Sequence, residues 1–68
     1  MEKTDALLHF FREMAGWMEI QARDYENGAA VHFTGQIDDS QAAAARLRHK
    51  AGNILSVIDS YNRLRARE

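Results

Sequence analysis

The feature that most constrains this chain is a pair of long amphipathic segments separated by residues 27–38. In the second segment, apolar residues recur at heptad spacing: Ala44, Leu47, Ala51, Ile54, Ile58 and Tyr61. The first segment carries a wider apolar stripe: Leu7, Phe10, Phe11, Met14, Trp17, Met18 and Tyr25. Each pattern is typical of a helix that buries one side. The sequence therefore predicts an all-α antiparallel two-helix hairpin, with helices over residues 5–26 and 39–66.

The small size of the chain favours self-association. A domain of 68 residues buries only about 60% of its unfolded surface and is marginal alone. The sequence has no cysteine, so disulfides cannot compensate, and the apolar stripe of the first helix is wider than one neighbouring helix covers. We therefore expect a homodimeric four-helix bundle. In outline this plan resembles small dimeric four-helix regulators, a likeness of fold that implies no function.

Folding the chain about its midpoint predicts which residues face each other across the hairpin. Residue numbers that sum to about 68 become neighbours. The expected pairs are Leu7 with Tyr61, Phe10 and Phe11 with Ile58, Met14 with Ile54, Trp17 and Met18 with Ala51, Gln21 with Leu47, and Tyr25 with Ala43 or Ala44. Large residues of the first helix would then face small residues of the second in the half near the connector.

The helix ends carry recognisable capping signals. Thr4 or Asp5 is the expected N-cap of the first helix, and Asn27-Gly28 is expected to end it. The second helix is expected to be capped by one of residues 38–40, which are Asp, Asp and Ser.

The connector permits two interpretations. Residues 29–35 alternate around Val31 and Phe33, which is typical of a short strand. A lone strand would need a copy of itself or the edge of a partner's sheet. The preferred alternative is an irregular loop whose Val31, Phe33 and Ile37 tuck over the end of the hairpin.

The charge is unevenly distributed along the chain. Residues 1–39 hold three basic and eight acidic side chains, a net charge of −5, whereas residues 40–68 hold six basic and two acidic, a net charge of +4. The simpler interpretation is that an acidic helix lies against a basic one. The alternative is that the second helix contacts nucleic acid or an acidic protein, with Arg46, His49 and Lys50 of two chains brought together.

No motif predicts catalysis, a cofactor or a metal site. His9 and Glu13 are spaced i,i+4, but two ligands are too few for a convincing metal site. His32 and His49 have no serine, cysteine or acid at a telling spacing, and the four glycines are isolated. No apolar run approaches the roughly 20 residues that span a bilayer. With no signal-peptide pattern at the start, we expect a cytoplasmic, non-enzymatic protein that does not bind membranes.

Exposed aromatic residues mark the expected contact surface. Phe10, Trp17 and Ile20 lie toward one edge of the first helix, and together with Val31 and Phe33 they are the predicted interface residues. The sequence predicts a small interaction protein that binds and modulates, by inhibiting or adapting, an unidentified protein target. The alternatives are a dimeric nucleic-acid-binding regulator and a structural subunit of a larger assembly.

Overall fold

The chain forms a long helical hairpin closed by a very short β-hairpin. The computed structural model describes residues 3–67. Its elements, in chain order, are α1 (Lys3–Asn27), β1 (Phe33–Thr34), β2 (Ile37–Asp38) and α2 (Ser40–Ala66). The rod they form measures 51 × 20 × 19 Å. The predicted all-α antiparallel hairpin is confirmed, and both helices lie close to their predicted bounds.

The C-terminal end of α1 was predicted correctly, but its N-cap was not. Helix α1 begins at Lys3, so Thr4 and Asp5 lie in its first turn and are not caps. It ends at Asn27 as predicted, because Gly28 adopts a left-handed conformation with φ +83°.

At the start of α2 the capping is divided between two aspartates. Asp39 occupies the N-cap position without a side-chain capping bond. Asp38 supplies that bond instead, since its Oδ1 accepts the backbone N–H of Ser40 at 3.0 Å. A helix N-terminus favours both the acceptor and its negative charge.

The contact between the helices is built mainly from small side chains. The buried apolar residues are Ala15, Ala22, Ala43, Ala44, Ala51 and Ile58. Alanine facing alanine lets two helices approach closely and removes little apolar area from water. The expectation that large residues of α1 face small residues of α2 holds only in part: Tyr25 and Ala43 line one depression, but Trp17, expected opposite Ala51, is 76% exposed.

This outcome follows from the width of the apolar stripe of α1, which contains two parallel heptad seams. One seam carries Ala15 and Ala22 and faces α2. The other carries Leu7, Phe10, Met14, Trp17 and Gln21, and at 3.6 residues per turn it points roughly 100° away. The seam that packs inside the hairpin alternates its two buried alanines with the half-buried Leu8, Met18 and Tyr25, and the seam with Trp17 stays open.

The connector forms a two-stranded antiparallel ladder of its own. Phe33 pairs with Asp38 and Thr34 pairs with Ile37. Gly35, at φ +63°, is the first of two turn residues, which is where a type II′ turn requires a glycine. The preferred irregular loop is therefore wrong, and the strand needs no second chain. Nor do the apolar side chains tuck over the hairpin, since Val31, Phe33 and Ile37 are 53%, 58% and 71% exposed.

Candidate functional site

The most distinctive surface is an apolar groove that runs between the open ends of the helices. It has a volume of about 430 Å³ and is lined by Thr4, Leu7, Leu8 and Phe11 of α1 and by Asn53, Ile54, Val57, Ile58 and Tyr61 of α2. The expected pairs Leu7 with Tyr61 and Phe11 with Ile58 thus meet across this groove. A groove with almost purely apolar walls binds apolar side chains rather than a polar ligand.

The apolar surface continues from the groove along the outer edge of α1. Phe10, Met14, Trp17 and Met18 line a shallow depression there, together with Glu13 and Gln21. The rings of Phe10 and Phe11 are tilted against each other with their centroids 6.0 Å apart, which joins the two parts of the surface.

We call this whole side of the hairpin the apolar face. Its large apolar side chains are exposed or half-buried: Leu7, Phe10, Phe11, Met14, Trp17, Met18, Ile54, Val57, Tyr61 and Leu64. Aromatic side chains present roughly 150–250 Å² each, and those of Phe10, Phe11, Trp17 and Tyr61 are 55%, 40%, 76% and 39% exposed, so these four alone expose about 300–500 Å². The largest apolar patch of a typical monomer is about 300–600 Å² and is often functional.

The opposite side of the hairpin is charged and internally paired. Arg48 of α2 donates to Glu19 at 2.7 Å and also pairs with Glu26, both on α1. These contacts lower the pKa of Glu26 and raise that of Arg48, chiefly through the hydrogen bond between the two side chains. The predicted attraction between an acidic and a basic helix is confirmed here.

Two further arginines of α2 are also paired. Arg65 donates to Asp5 of α1 at 2.9 Å near the open end, and this bond raises the pKa of Arg65. Arg63 pairs with Asp59 one turn earlier on its own helix. These cations are therefore engaged within the chain.

The residues predicted to contact nucleic acid, Arg46, His49 and Lys50, lie within about one turn of α2 and are all exposed. Arg46 Nη2 lies 3.5 Å from Asp39 Oδ2. Arg46 and Lys50 line one shallow depression next to Tyr25, but His49 is not part of it. His49 and Lys50 are exposed and form no ion pair within residues 3–67.

The predicted interface residues are all exposed but lie on different surfaces. Phe10 and Trp17 belong to the apolar face, at 55% and 76% exposure. Val31 and Phe33 lie at the connector end. Ile20 is 54% exposed and, by its position on the helical wheel, points away from the apolar face.

Sequence reasoning missed a hydrogen-bonded cluster that fixes the connector to α2. His32 Nδ1 lies 2.5 Å from Asp39 Oδ1, and Thr34 Oγ1 donates to Asp39 Oδ2 at 2.7 Å. These bonds, with His32 first, lower the pKa of Asp39 to about 2. This contact was not predicted, because the β-turn brings together two residues that are seven positions apart in the sequence. The one sequence feature that could have indicated the contact is the position of His32 and Asp39 on either side of Gly35.

The cluster also contains a serine, but its geometry does not support nucleophilic catalysis. Ser40 Oγ accepts the backbone N–H of His32 at 2.9 Å and donates to Asp38 Oδ1 at 2.6 Å. A nucleophilic serine would instead donate to the imidazole. The arrangement holds the strand pair onto the start of α2.

Other classes of site find no support in the described residues. Within residues 3–67, no three histidine, cysteine or acidic side chains are grouped to hold a metal ion. His9 Nε2 contacts Glu13 Oε1 at 3.0 Å, as a simple i,i+4 pair. Neither described helix is long and apolar enough to cross a membrane. The chain matches no protein-family model, no curated protein sequence and no solved structure.

Proposed function

We propose that this chain is a small non-enzymatic interaction protein that binds and modulates another macromolecule through a preformed helical surface. We further propose that it acts as a homodimeric four-helix bundle. The observation that supports both statements is the apolar face, on which several large side chains stay more than half exposed beside the contact between α1 and α2. Apolar surface of this extent marks an interaction site in a water-soluble protein.

The apolar face suits two further helices better than one. Each helix of the hairpin presents an open row of apolar side chains beside the groove: Leu7, Phe10 and Met14 on α1, and Val57 and Leu64 on α2. A second hairpin covers both rows at once and produces the square cross-section of a four-helix bundle.

In this proposal the connector end contacts the target. Val31, Phe33 and Ile37 project from the short β-hairpin, and each is more than half exposed. They lie beyond the helices and stay accessible when the apolar face is covered. The mechanism is occlusion, in which a preformed surface covers a working site on the target.

The alternative of a nucleic-acid-binding regulator has less support. Arg46, Arg48, Arg63 and Arg65 already have carboxylate partners. Phosphate contacts would have to displace these partners. If this alternative were right, DNA or RNA would bind at low salt and dissociate steeply as salt rises.

The proposal is tested by site-specific photocrosslinking in the native cells. A photoreactive phenylalanine analogue replaces Phe33 at the connector end or Trp17 on the apolar face, and Arg23 on the charged side provides the control position. We expect position 33 to yield a discrete adduct whose mass exceeds that of two copies, position 17 to yield a self-adduct, and position 23 to yield neither. Absence of any adduct with another macromolecule at positions 17 and 33 would contradict an interaction role.

A further inference from the structure

The charges that border the apolar face, and the spacing of its apolar residues, favour one binding partner in one orientation. We infer that this face is covered by a second copy of the chain related by a two-fold axis parallel to the helices, so that α1 of each copy packs on α2 of the other and both connectors lie at the same end. The inference rests on the proposed homodimer and specifies its geometry.

Charge complementarity favours this arrangement over a dimer whose two-fold axis is perpendicular to the helices. Among the charged side chains that border the apolar face, Glu13 lies on α1, and Arg46 and Lys50 lie on α2. An axis parallel to the helices places each α1 beside the partner's α2, so unlike charges become neighbours. A perpendicular axis places α1 on α1 and α2 on α2, so like charges become neighbours, which opposes association.

The distribution of apolar residues along the face also favours a dimer with both connectors at the same end. The groove lies at the open end of the hairpin. Toward the connector, the same side of the molecule carries Gln21, Arg46 and Lys50. With both connectors at one end, apolar surface covers apolar surface. With connectors at opposite ends, the groove would be pressed against those polar residues, whose burial without partners is costly.

The sequence spacing supplies the register of the contact. The open seam of α1 has a counterpart on α2, with the same alternation of three and four residues: Lys50, Ile54, Val57, Tyr61 and Leu64. Because a parallel two-fold axis introduces no shift along the helices, contacts between copies follow the register found within one copy. Leu7 then meets Tyr61 of the second copy, and Met14 meets its Ile54.

This register places the most exposed apolar side chain of the face beside a lysine that has no ion pair among the described residues. Trp17 falls opposite Lys50 of the second copy. The indole is 76% exposed, and Lys50 forms no ion pair within the described part of the chain. In the dimer the ammonium group approaches the indole face as a cation–π pair while the aliphatic stem of the lysine covers apolar surface.

The arrangement is tested by a distance between the two connectors. The sequence has no cysteine, so Gln36→Cys, in the exposed turn, places a single spin label on each copy for pulsed electron spin resonance. With both connectors at one end, the helices of the two copies lie about 8–10 Å apart, and we expect a label distance below about 30 Å. With connectors at opposite ends, the distance approaches the 51 Å length of the hairpin.

A pair of matched substitutions tests the contact independently. Trp17→Ala should weaken dimerisation by at least about tenfold, because it removes a large aromatic anchor. Ile20→Ala, on the same helix but outside the open seam, should leave the dimerisation constant unchanged. Circular dichroism checks that both variants keep the helicity of the wild type. Equal weakening by the two substitutions would contradict the proposed seam.

The outcomes separate this inference from the proposed function. A dimer with a label distance near 51 Å overturns the arrangement and leaves an interaction role standing. A label pair that shows no dipolar coupling at millimolar concentration overturns the second copy as occupant. Loss of the interaction role itself is decided by photocrosslinking at Phe33, which does not depend on how two copies pack.

Discussion

The two long sides of the hairpin differ in whether their side chains find partners within the chain. On the charged side, Arg48 reaches across to Glu19 and Glu26, so charges meet partners within the same chain. On the apolar face, Trp17 and Val57 remain 76% and 68% exposed. The hairpin thus closes on buried alanines, Ile58 and ion pairs, whereas its bulkiest apolar side chain, that of Trp17, stays exposed.

The energies of these contacts explain why the open side matters. Arg48 and Glu19 are 42% and 39% exposed, and ion pairs of such exposure contribute only about 0–1 kcal/mol each. Buried alanines remove little apolar area from water. Covering the large side chains of the apolar face would therefore remove more apolar area from water than the buried alanines do, at about 25 cal/mol per Å² before the cost of association.

The largest effect is expected at Ile58, the one large residue in the core formed by residues 3–67. Ile58 is 3% exposed, and Ile58→Ala should reduce the free energy of unfolding by roughly 2–5 kcal/mol. Val57→Ala, at the exposed neighbour on the apolar face, is the control and should have little effect on the isolated hairpin. Urea unfolding at the lowest measurable protein concentration compares them. Equal destabilisation would mean that the two sides of α2 have been assigned wrongly.

A smaller effect is expected when the alanine contact is overfilled. Ala51 is fully buried, so Ala51→Leu should force the helices apart and cost about 1–3 kcal/mol. Ala45→Leu, at an exposed position of the same helix, should be nearly neutral. Thermal unfolding followed by circular dichroism measures both. A stabilised Ala51→Leu variant would show that the close approach of the helices is not required.

A gain in stability is expected on the charged side. An added Cβ at Gly52 meets nothing within 4 Å, so Gly52→Ala should raise the free energy of unfolding by up to about 1 kcal/mol. Gly35→Ala is the opposite control, because its φ of +63° disfavours a side chain. If Gly52→Ala instead weakened dimerisation or stability, the charged side would be a contact surface, and the contrast between the two sides would fail.

The smallest effect is expected at the connector and depends on pH. The pKa of Asp39 is lowered from 3.8 to about 2, first by the hydrogen bond with His32. A depressed pKa in the folded state stabilises the fold above the unfolded value, and this contribution disappears as the pH falls from about 4 to 2. Amide exchange in residues 32–38 should therefore accelerate over that range. Asp39→Asn should abolish the change, and an unaltered pH profile in this variant would assign the acid sensitivity to another group.

The sequence predicted the hairpin correctly and the packed face of α2 in part, because a narrow heptad stripe leaves one side of the helix to bury, yet Tyr61 of that stripe is 39% exposed. Ala44, Ala51 and Ile58 are buried as the spacing indicated. Helix α1 was harder, since its stripe is wide enough for two seams. Hydropathy favoured the seam with Trp17, whereas the geometry of close helix approach favoured the seam with Ala15.

The structure of the connector, and the hydrogen bonds between His32, Thr34 and Asp39, could not be predicted from the sequence pattern. The strand pair depends on a turn at Gly35, and the seven-residue separation of His32 and Asp39 becomes a contact only after that turn forms. Local periodicity carries no information about such a pairing, because it arises from turn geometry rather than from a repeating pattern.

The central claim, that a second copy covers the apolar face, is tested most directly by the molar mass in solution. Sedimentation equilibrium over a wide range of concentrations gives this mass and the dissociation constant together. We expect a mass of twice 7.8 kDa that falls toward the single-chain value on dilution, with the Trp17→Ala variant dissociating at higher concentration than wild type. A mass of 7.8 kDa at every concentration, from a chain that keeps its helical circular dichroism, would contradict the claim.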